Sequence, residues 1–289
     1  MIPEFELAMP ETLAEALDMM AERAPDVRPL AGGTNLIPNM RAGTHQPAAL
    51  VNVEGLEALR GIDRQNGHVV IGSGVTIAEL LEDDLIAEQG QLLREAAAVF
   101  ANPLVRNRAT VGGNLGNASP AADTAPPLLV LDAEVELATS DGSRWVPLED
   151  FFVHVCDTIC EPHELITAIR WPLPSEQSYG SFRKLALRKS MAISVVSAAA
   201  RVTLDDDGRC QDVCIALGAV APTPVRAYDA EELLRVERLE PELIDEVHAA
   251  ACGAASCIDD VRSSAEYRER VTGVLVRRVL EDVRRRSRE

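Results

Sequence analysis

The chain has 289 residues, 47% of them hydrophobic, with a formal net charge of −18 and a mean hydropathy close to zero. That is enough apolar sequence for one large or two smaller globular domains, and the charge excludes nucleic acid or an anionic membrane as the main partner. Apolar runs such as Pro126 to Leu131 and Val195 to Ala200 are far too short to span a bilayer, so no membrane insertion is expected. The opening Met1-Ile2-Pro3-Glu4-Phe5-Glu6 has neither a basic region nor an apolar signal core, which predicts a cytoplasmic protein. Lys184 and Lys189 are the only lysines. A GC-rich genome or a salt-adapted cell accounts for that bias equally well.

In chain order, Pro10 to Arg23 reads as a helix with Thr12 as N-cap and Glu15 as its capping-box partner, and Leu13, Ala16, Leu17, Met20 and Ala21 on one face. Val27 to Ala31 is a short strand, Leu36 to Ala42 a turn or short helix, and Ala49 to Val53 a second strand. This closes a first lobe near residue 54. Val69 to Gly72 is a strand, and Thr76 with Glu79 caps a helix from Ile77 to Leu85. Leu92 to Phe100 is a helix that Asn102-Pro103 ends, and Leu128 to Leu131 is an apolar run. Glu134 to Thr139 alternates as a strand, and Leu165 to Trp171 is another, stopped by Pro172 and Pro174.

The segment Pro172 to Ser178 predicts a domain boundary, giving residues 1–174 (lobes 1–54 and 55–174) and 175–289. Beyond it, Tyr179 to Leu187, Ile193 to Leu204 and Val213 to Val220 read as strands. Ala230 to Val236, Pro241 to Cys252 and Tyr267 to Arg285 read as helices, the last with Val271, Val274, Leu275, Arg278 and Val279 near one face. Cys156, Cys160, Cys210, Cys214, Cys252 and Cys257 form three loose pairs without a CxxC or a zinc-type histidine spacing. They read as small buried residues of a reducing compartment, with an iron–sulfur cluster on this chain as the lesser alternative.

Two glycine pairs carry the chemistry. Ala31-Gly32-Gly33-Thr34-Asn35-Leu36 is answered by Thr110-Val111-Gly112-Gly113-Asn114-Leu115-Gly116-Asn117-Ala118-Ser119-Pro120. A glycine pair admits positive φ and lets backbone N–H groups converge on an anion. Two such loops suggest a ligand with two phosphates, hence a dinucleotide, whereas an isolated pair reads as a plain tight turn. A P-loop would need a Lys and a Ser/Thr after its glycines, and neither loop has them. Gly72-Ser73-Gly74 lacks the third glycine of a Rossmann fingerprint and reads as a turn at a strand end. Hydroxyls of Thr34, Thr110 and Ser119 and side-chain amides of Asn35, Asn114 and Asn117 add donors, and Asp123 adds an acceptor for ribose hydroxyls or an adenine-side contact.

With Phe100-Ala101-Asn102-Pro103-Leu104-Val105-Arg106-Asn107-Arg108-Ala109, Phe182-Arg183-Lys184 and the ending Tyr267-Arg268-Glu269-Arg270-Val271, these loops resemble the FAD-binding medium subunit of the molybdenum hydroxylases, the xanthine dehydrogenase and aerobic carbon monoxide dehydrogenase family. The resemblance covers essentially the whole chain. It implies an α+β fold: a two-lobed FAD-binding domain of the vanillyl-alcohol-oxidase (PCMH) type, then a smaller α+β C-terminal domain. It implies that Leu30, Ala31, Gly32, Gly33, Thr34, Asn35, Leu36 and Ile37 wrap the FAD pyrophosphate, and that Phe100 lies on the flavin side. Thr110, Gly113, Asn114, Ser119 and Asp123 belong to the second cofactor loop, Ile166 touches the adenine or ring edge, and Lys184 approaches from the second domain.

The resemblance also implies a function. Electrons pass from a molybdopterin-binding large subunit through a two-cluster iron–sulfur small subunit to FAD on this chain, then to an external acceptor. No catalytic acid, nucleophile or metal ligand is assigned: His45, His68, His154, His163 and His248 are scattered and read as surface or packing residues. Two other readings stay open. One is a stand-alone flavin oxidoreductase related to UDP-N-acetylmuramate reductase; the other is a non-catalytic nucleotide-binding scaffold.

Overall fold

The computed structural model describes residues 4–289, so the opening Met1 to Pro3 lies outside the described residues. The first elements are β1 (Glu6–Ala8), α1 (Leu13–Arg23), β2 (Val27–Leu30), α2 (Leu36–Ala42) and β3 (Ala49–Asn52). The three strands form a parallel sheet in the order β1-β3-β2. Thr12 caps α1 by accepting from the Glu15 amide at 3.2 Å, while the Glu15 carboxylate reaches one residue further back, to the Glu11 amide. Ala16, Leu17 and Met20 are the buried face of α1, packed with Val27, Val51 and Val53. Ala21, expected on that face, is exposed.

A 3-10 turn (Glu57–Leu59) leads to β4 (Ile62–Gln65) and β5 (His68–Gly72). Next come α3 (Glu79–Glu82), α4 (Asp84–Gln89), α5 (Gln91–Val99), α6 (Pro103–Arg106), α7 (Val111–Gly116) and α8 (Ala125–Val130). The Thr76–Glu79 capping box forms reciprocally, with Glu79 N–H donating to Thr76 Oγ1 at 3.2 Å and Thr76 N–H to Glu79 Oε2 at 2.7 Å. The expected single helix after it is two. Asp83 leaves the helical conformation and caps α4 by accepting from the Ile86 amide at 2.9 Å, a local competition that aspartate wins against helix propagation. The apolar run at 128–131 is the end of α8, which opens with two prolines in its first turn, where their missing N–H groups cost nothing.

The chain then forms β6 (Glu134–Thr139), β7 (Gly142–Pro147), α9 (Leu148–Phe151), a small hairpin of β8 (Phe152–His154) and β9 (Asp157–Thr158), and β10 (Leu165–Pro172). Antiparallel pairing gives a five-stranded sheet in the order β4-β5-β10-β6-β7. Its inner face contributes Val69, Ile71, Val135, Leu137, Ile169 and Trp171 to the largest core. Trp171 is fully buried, and its indole N–H donates to the Gln89 carbonyl at 3.1 Å, fixing the end of α4.

The remaining strands are β11 (Ser178–Ala186), β12 (Ser194–Leu204), β13 (Cys210–Gly218) and β14 (Val225–Arg226), an antiparallel sheet in that order. The helices α10 (Tyr228–Leu234), α11 (Pro241–Gly253) and α12 (Ala265–Arg286) cover it. β12 is buried on both faces: Ala199 joins the core under α8, while Ala198 and Ala200 join the core under α12. This explains why its buried stretch, Ser194 to Ala200, is made of small and apolar residues on both faces rather than alternating with charged ones. The buried face of α12 is wider than the periodicity predicts. It includes Val276 and Leu280, and Arg278 is exposed.

All six cysteines are free. Cys210 and Cys214 are buried, as expected, but Cys156 is exposed in the β8–β9 turn at φ 55°. Asp132, Asp212 and Cys214 come within ligand distance of one another, but Arg201 and Arg226 already occupy that space. Both guanidiniums donate to Cys214 Sγ, at 3.1 and 3.2 Å, and both pair with Asp132. Burial pushes the Cys214 thiol up to about 11. No helix among the described residues is long and apolar enough to cross a membrane.

Close approach fixes how β11 sits. A Cβ on Gly180 would lie 2.6 Å from Leu92 Cδ1, in the packed seam between β11 and α5. Gly180→Ala should therefore cost about 1–3 kcal/mol by overpacking. Gly253→Ala, where a Cβ meets nothing within 4 Å, should stabilise by a few tenths to about 1 kcal/mol. Urea denaturation of the two variants measures the contrast.

Candidate functional site: a backbone cradle between two glycine segments

The first glycine segment follows β2 and enters α2. Gly33 has φ 65°, the left-handed conformation that glycine tolerates without strain. Gly32 is required for a different reason. A Cβ there would lie 1.7 Å from the Arg108 carbonyl oxygen, so the backbone rests directly on the segment that leads into α7. Arg108 closes the contact from the other side, its Nε donating to the Gly32 carbonyl at 3.2 Å and its Nη2 pairing with Glu54 at 2.9 Å.

This bend leaves main-chain donors unspent. Ile37 N–H goes to the Gly33 carbonyl and Asn39 N–H to the Asn35 carbonyl. Among the described residues, the amides of residues 32–36 have no protein acceptor. Five successive N–H groups, with Thr34 and Asn35 exposed beside them, are left without a protein acceptor, the condition a backbone anion nest requires. Nothing acidic is paired into it.

The second segment behaves differently from the loop expected of it. Residues 111–116 are a helix, α7, with Thr110 as N-cap accepting from the Gly113 amide at 3.0 Å. The Val111 and Gly112 amides donate to the Val75 and Ser73 carbonyls, both at 2.9 Å. The first-turn amides are therefore used inside the protein. The glycines serve close packing instead: a Cβ on Gly112 would lie 2.5 Å from Ser73 Cβ, and one on Gly116 3.2 Å from Ile166 Cδ1. Ile166 thus lies beneath α7, next to a bulge in β10.

Side chains join the two segments. Asn35 Nδ2 donates to Asn117 Oδ1 at 2.6 Å across 82 residues of sequence. Asn114 Oδ1 accepts from Thr124 Oγ1 at 2.6 Å, and Ser119 Oγ accepts from the Ala121 amide at 3.2 Å. Phe100 stands at the C-terminal end of α5, half-buried, with its carbonyl held by Arg106 Nη1 at 2.9 Å. No hydrogen bond among the described residues joins Phe100 or Lys184 to the first bend.

Asp123 and Lys184 meet each other. Lys184 Nζ lies 2.5 Å from Asp123 Oδ2, and Ser194 Oγ donates to Asp123 Oδ1 at 2.6 Å. Asp123 is buried, and that burial pushes its carboxyl above the usual range even though Lys184 and Ser194 pull it back. Both carboxylate oxygens are engaged by β11 and by the start of β12, a use of Asp123 that its sequence context does not reveal. Arg108, Thr124 and Ser194 are equally central here, and sequence reasoning assigned none of them. An arginine beside a glycine pair 76 residues away, or a serine at a strand start, carries no local signal.

Two outcomes test this geometry. Gly32→Ala meets a backbone oxygen rather than a movable side chain, so it should destabilise by about 1–3 kcal/mol or more in urea denaturation. Asp123→Asn leaves the Lys184 ammonium buried and unpaired and should cost about 3–5 kcal/mol, most of it recovered by adding Lys184→Met.

Comparison with known proteins identifies the architecture. Residues 3–174 match the model of the FAD binding domain in molybdopterin dehydrogenase, and residues 181–283 match the CO dehydrogenase flavoprotein C-terminal domain. The chain is 33% identical over 288 residues to the carbon monoxide dehydrogenase medium chain of Afipia carboxidovorans, covering 99% of each. It is 30% identical over 273 residues to the xanthine dehydrogenase FAD-binding subunit of Escherichia coli O157:H7, covering 94% of this chain and 93% of the relative. Reconstituted CO dehydrogenase from Oligotropha carboxidovorans superposes with a TM-score of 0.95 at 34% identity, over 99% of this chain and 100% of that one. Quinoline 2-oxidoreductase from Pseudomonas putida 86 gives 0.93 at 27% identity, with full coverage of both. The chain therefore belongs to the FAD-binding medium subunits of the molybdenum hydroxylases, an oxidoreductase family.

Proposed function

We propose that this chain carries FAD as the electron-transfer subunit of a molybdenum hydroxylase. Electrons arrive from the clusters of a two-cluster iron–sulfur small subunit, whose own source is a molybdopterin-binding large subunit. They leave for an external acceptor. The observation that carries the reading is the run of unpartnered amides at residues 32–36, set against α7 in a chain that matches its relatives over their full length. A diphosphate needs convergent donors and no carboxylate nearby, and that run supplies them without a lysine.

In this reading Leu30 to Ile37 hold the pyrophosphate through main-chain donors. Thr110, Gly113, Asn114 and Ser119 line the opposite wall with α7, and Ile166 supports that wall from β10. Phe100 and Lys184 border the flavin end, with Asp123 holding Lys184 in place. Bound flavin accepts electrons singly and passes them on singly or in pairs. The protein's share is to bind and orient it, which agrees with a site built from backbone amides, small residues and amide side chains. We place the complex in the cytoplasm, where six unpaired thiols are at home.

The test is the chain itself. Purified and supplied with FAD, it should turn yellow and bind flavin in a one-to-one ratio, and from its native host it should copurify with two further chains, one holding molybdenum and one iron and sulfur. Gly32→Ala should lose the flavin. A wild-type chain that takes up no flavin at saturating FAD, or that oxidises a small organic substrate without partners, overturns the proposal.

A further inference from the structure

Behind the second glycine segment, two arginines of the C-terminal domain converge on its supports. Arg268 lies on α12 and is 1% exposed. Its Nη1 donates to the carbonyls of Val195 and Ala219 at 3.0 and 3.1 Å, and its Nη2 pairs with Asp260 Oδ1 at 2.5 Å. Arg262, in the loop before α12, donates from Nη1 to the Ser194 carbonyl at 2.8 Å. Its Nε and Nη2 share Asp260 Oδ2 at 2.9 and 2.6 Å. One carboxylate thus orients two guanidiniums, and their Nη1 groups donate to three main-chain carbonyls.

Two of those carbonyls, on Ser194 and Ala219, belong to residues that grip the cofactor segment. The Ser194 hydroxyl donates to Asp123, and the Ala219 amide donates to the Pro120 carbonyl at 2.7 Å. Ala219 has φ 63°, a left-handed conformation that a non-glycine residue keeps only where its surroundings impose it. Here the Pro120 carbonyl holds its amide and Arg268 holds its carbonyl. Each arginine therefore holds the carbonyl of a residue whose hydroxyl (Ser194) or amide (Ala219) touches the stretch from Ser119 to Asp123. Among the described residues Arg268 Nε has no partner, so the two terminal nitrogens alone orient the planar head, a spacing that the single ammonium nitrogen of a lysine does not reproduce.

We propose that Asp260, Arg262 and Arg268 are positioning residues of the FAD site. They act through Ser194 and Ala219, setting where Pro120 and Asp123 stand and hence the geometry of the wall opposite the amide cradle. The inference rests on the FAD reading above. It makes the C-terminal domain a structural half of the cofactor site, with its controlling groups one layer away from the ligand.

The test uses the full chain reconstituted with FAD. Arg262→Gln alters a side chain that is only partly buried and should fold, whereas Asp260→Asn also deprives the buried Arg268 of its carboxylate and should fold at lower stability, so it is read at a temperature below its own Tm. Each should raise the FAD dissociation constant about tenfold, the loss of one charge-assisted hydrogen bond, and should change the visible circular dichroism of the bound flavin. ADP, probed alone, should bind as in the wild type, because the amide cradle is untouched. Arg262→Lys should recover part of the FAD affinity, and Arg277→Gln, on the exposed face of α12, should leave it unchanged. A fall in apoprotein Tm with unaltered FAD affinity and flavin dichroism would make the network merely structural and overturn the inference. A wild-type chain that binds no FAD at all fails the underlying reading instead, and the inference with it.

Discussion

The contact between the Gly32 backbone and the Arg108 carbonyl is the constraint on which the site is built. It leaves no room for a Cβ, so it fixes the first bend against the turn between α6 and α7. In the bend so fixed, the amides of residues 32–36 have no protein acceptor among the described residues. Asn35 and Asn117 then join the two segments directly. The shape of the bend follows from one close approach, and Gly32 serves there for the side chain it lacks.

The two glycine segments look like repeats of one device and are not. The first spends its glycines on a positive φ and a backbone contact, and its donors stay free. The second spends them on packing against Ser73 and Ile166, and its donors are satisfied by Ser73, Val75 and Thr110. A Thr–x–x–Gly capping pattern in a glycine-rich stretch was available in the sequence as a helix signal. The glycines masked it, because their low helix propensity argues for a loop while tertiary packing here decides for a helix.

Strongly periodic elements were legible. The strands at 134–139 and 165–172, the two-faced strand at 194–204 and the C-terminal helix follow from apolar spacing alone. Elements without a buried face were not: β4 reads Ile-Asp-Arg-Gln and β1 has three residues, and both gain their order from neighbours rather than from pattern. The same holds at the site. Glycine pairs announce themselves, whereas Ser194, Arg108 and Arg268 matter only through partners 71, 76 and 73 residues away. Distance along the chain, not obscurity of chemistry, separates the legible residues from the rest.

That separation has a consequence for synthesis. Asp123 is buried, and the groups that satisfy it, Lys184 and Ser194, are made 61 and 71 residues later. Glu95 waits longer still, for Arg286, 191 residues on. A nascent chain that has emerged only as far as β10 has both glycine segments but not the ammonium and hydroxyl that neutralise the carboxylate beside them. The carboxylate beside the second glycine segment is satisfied only after the C-terminal strands have been made and have docked, and Glu95 meets Arg286 only when the last helix arrives.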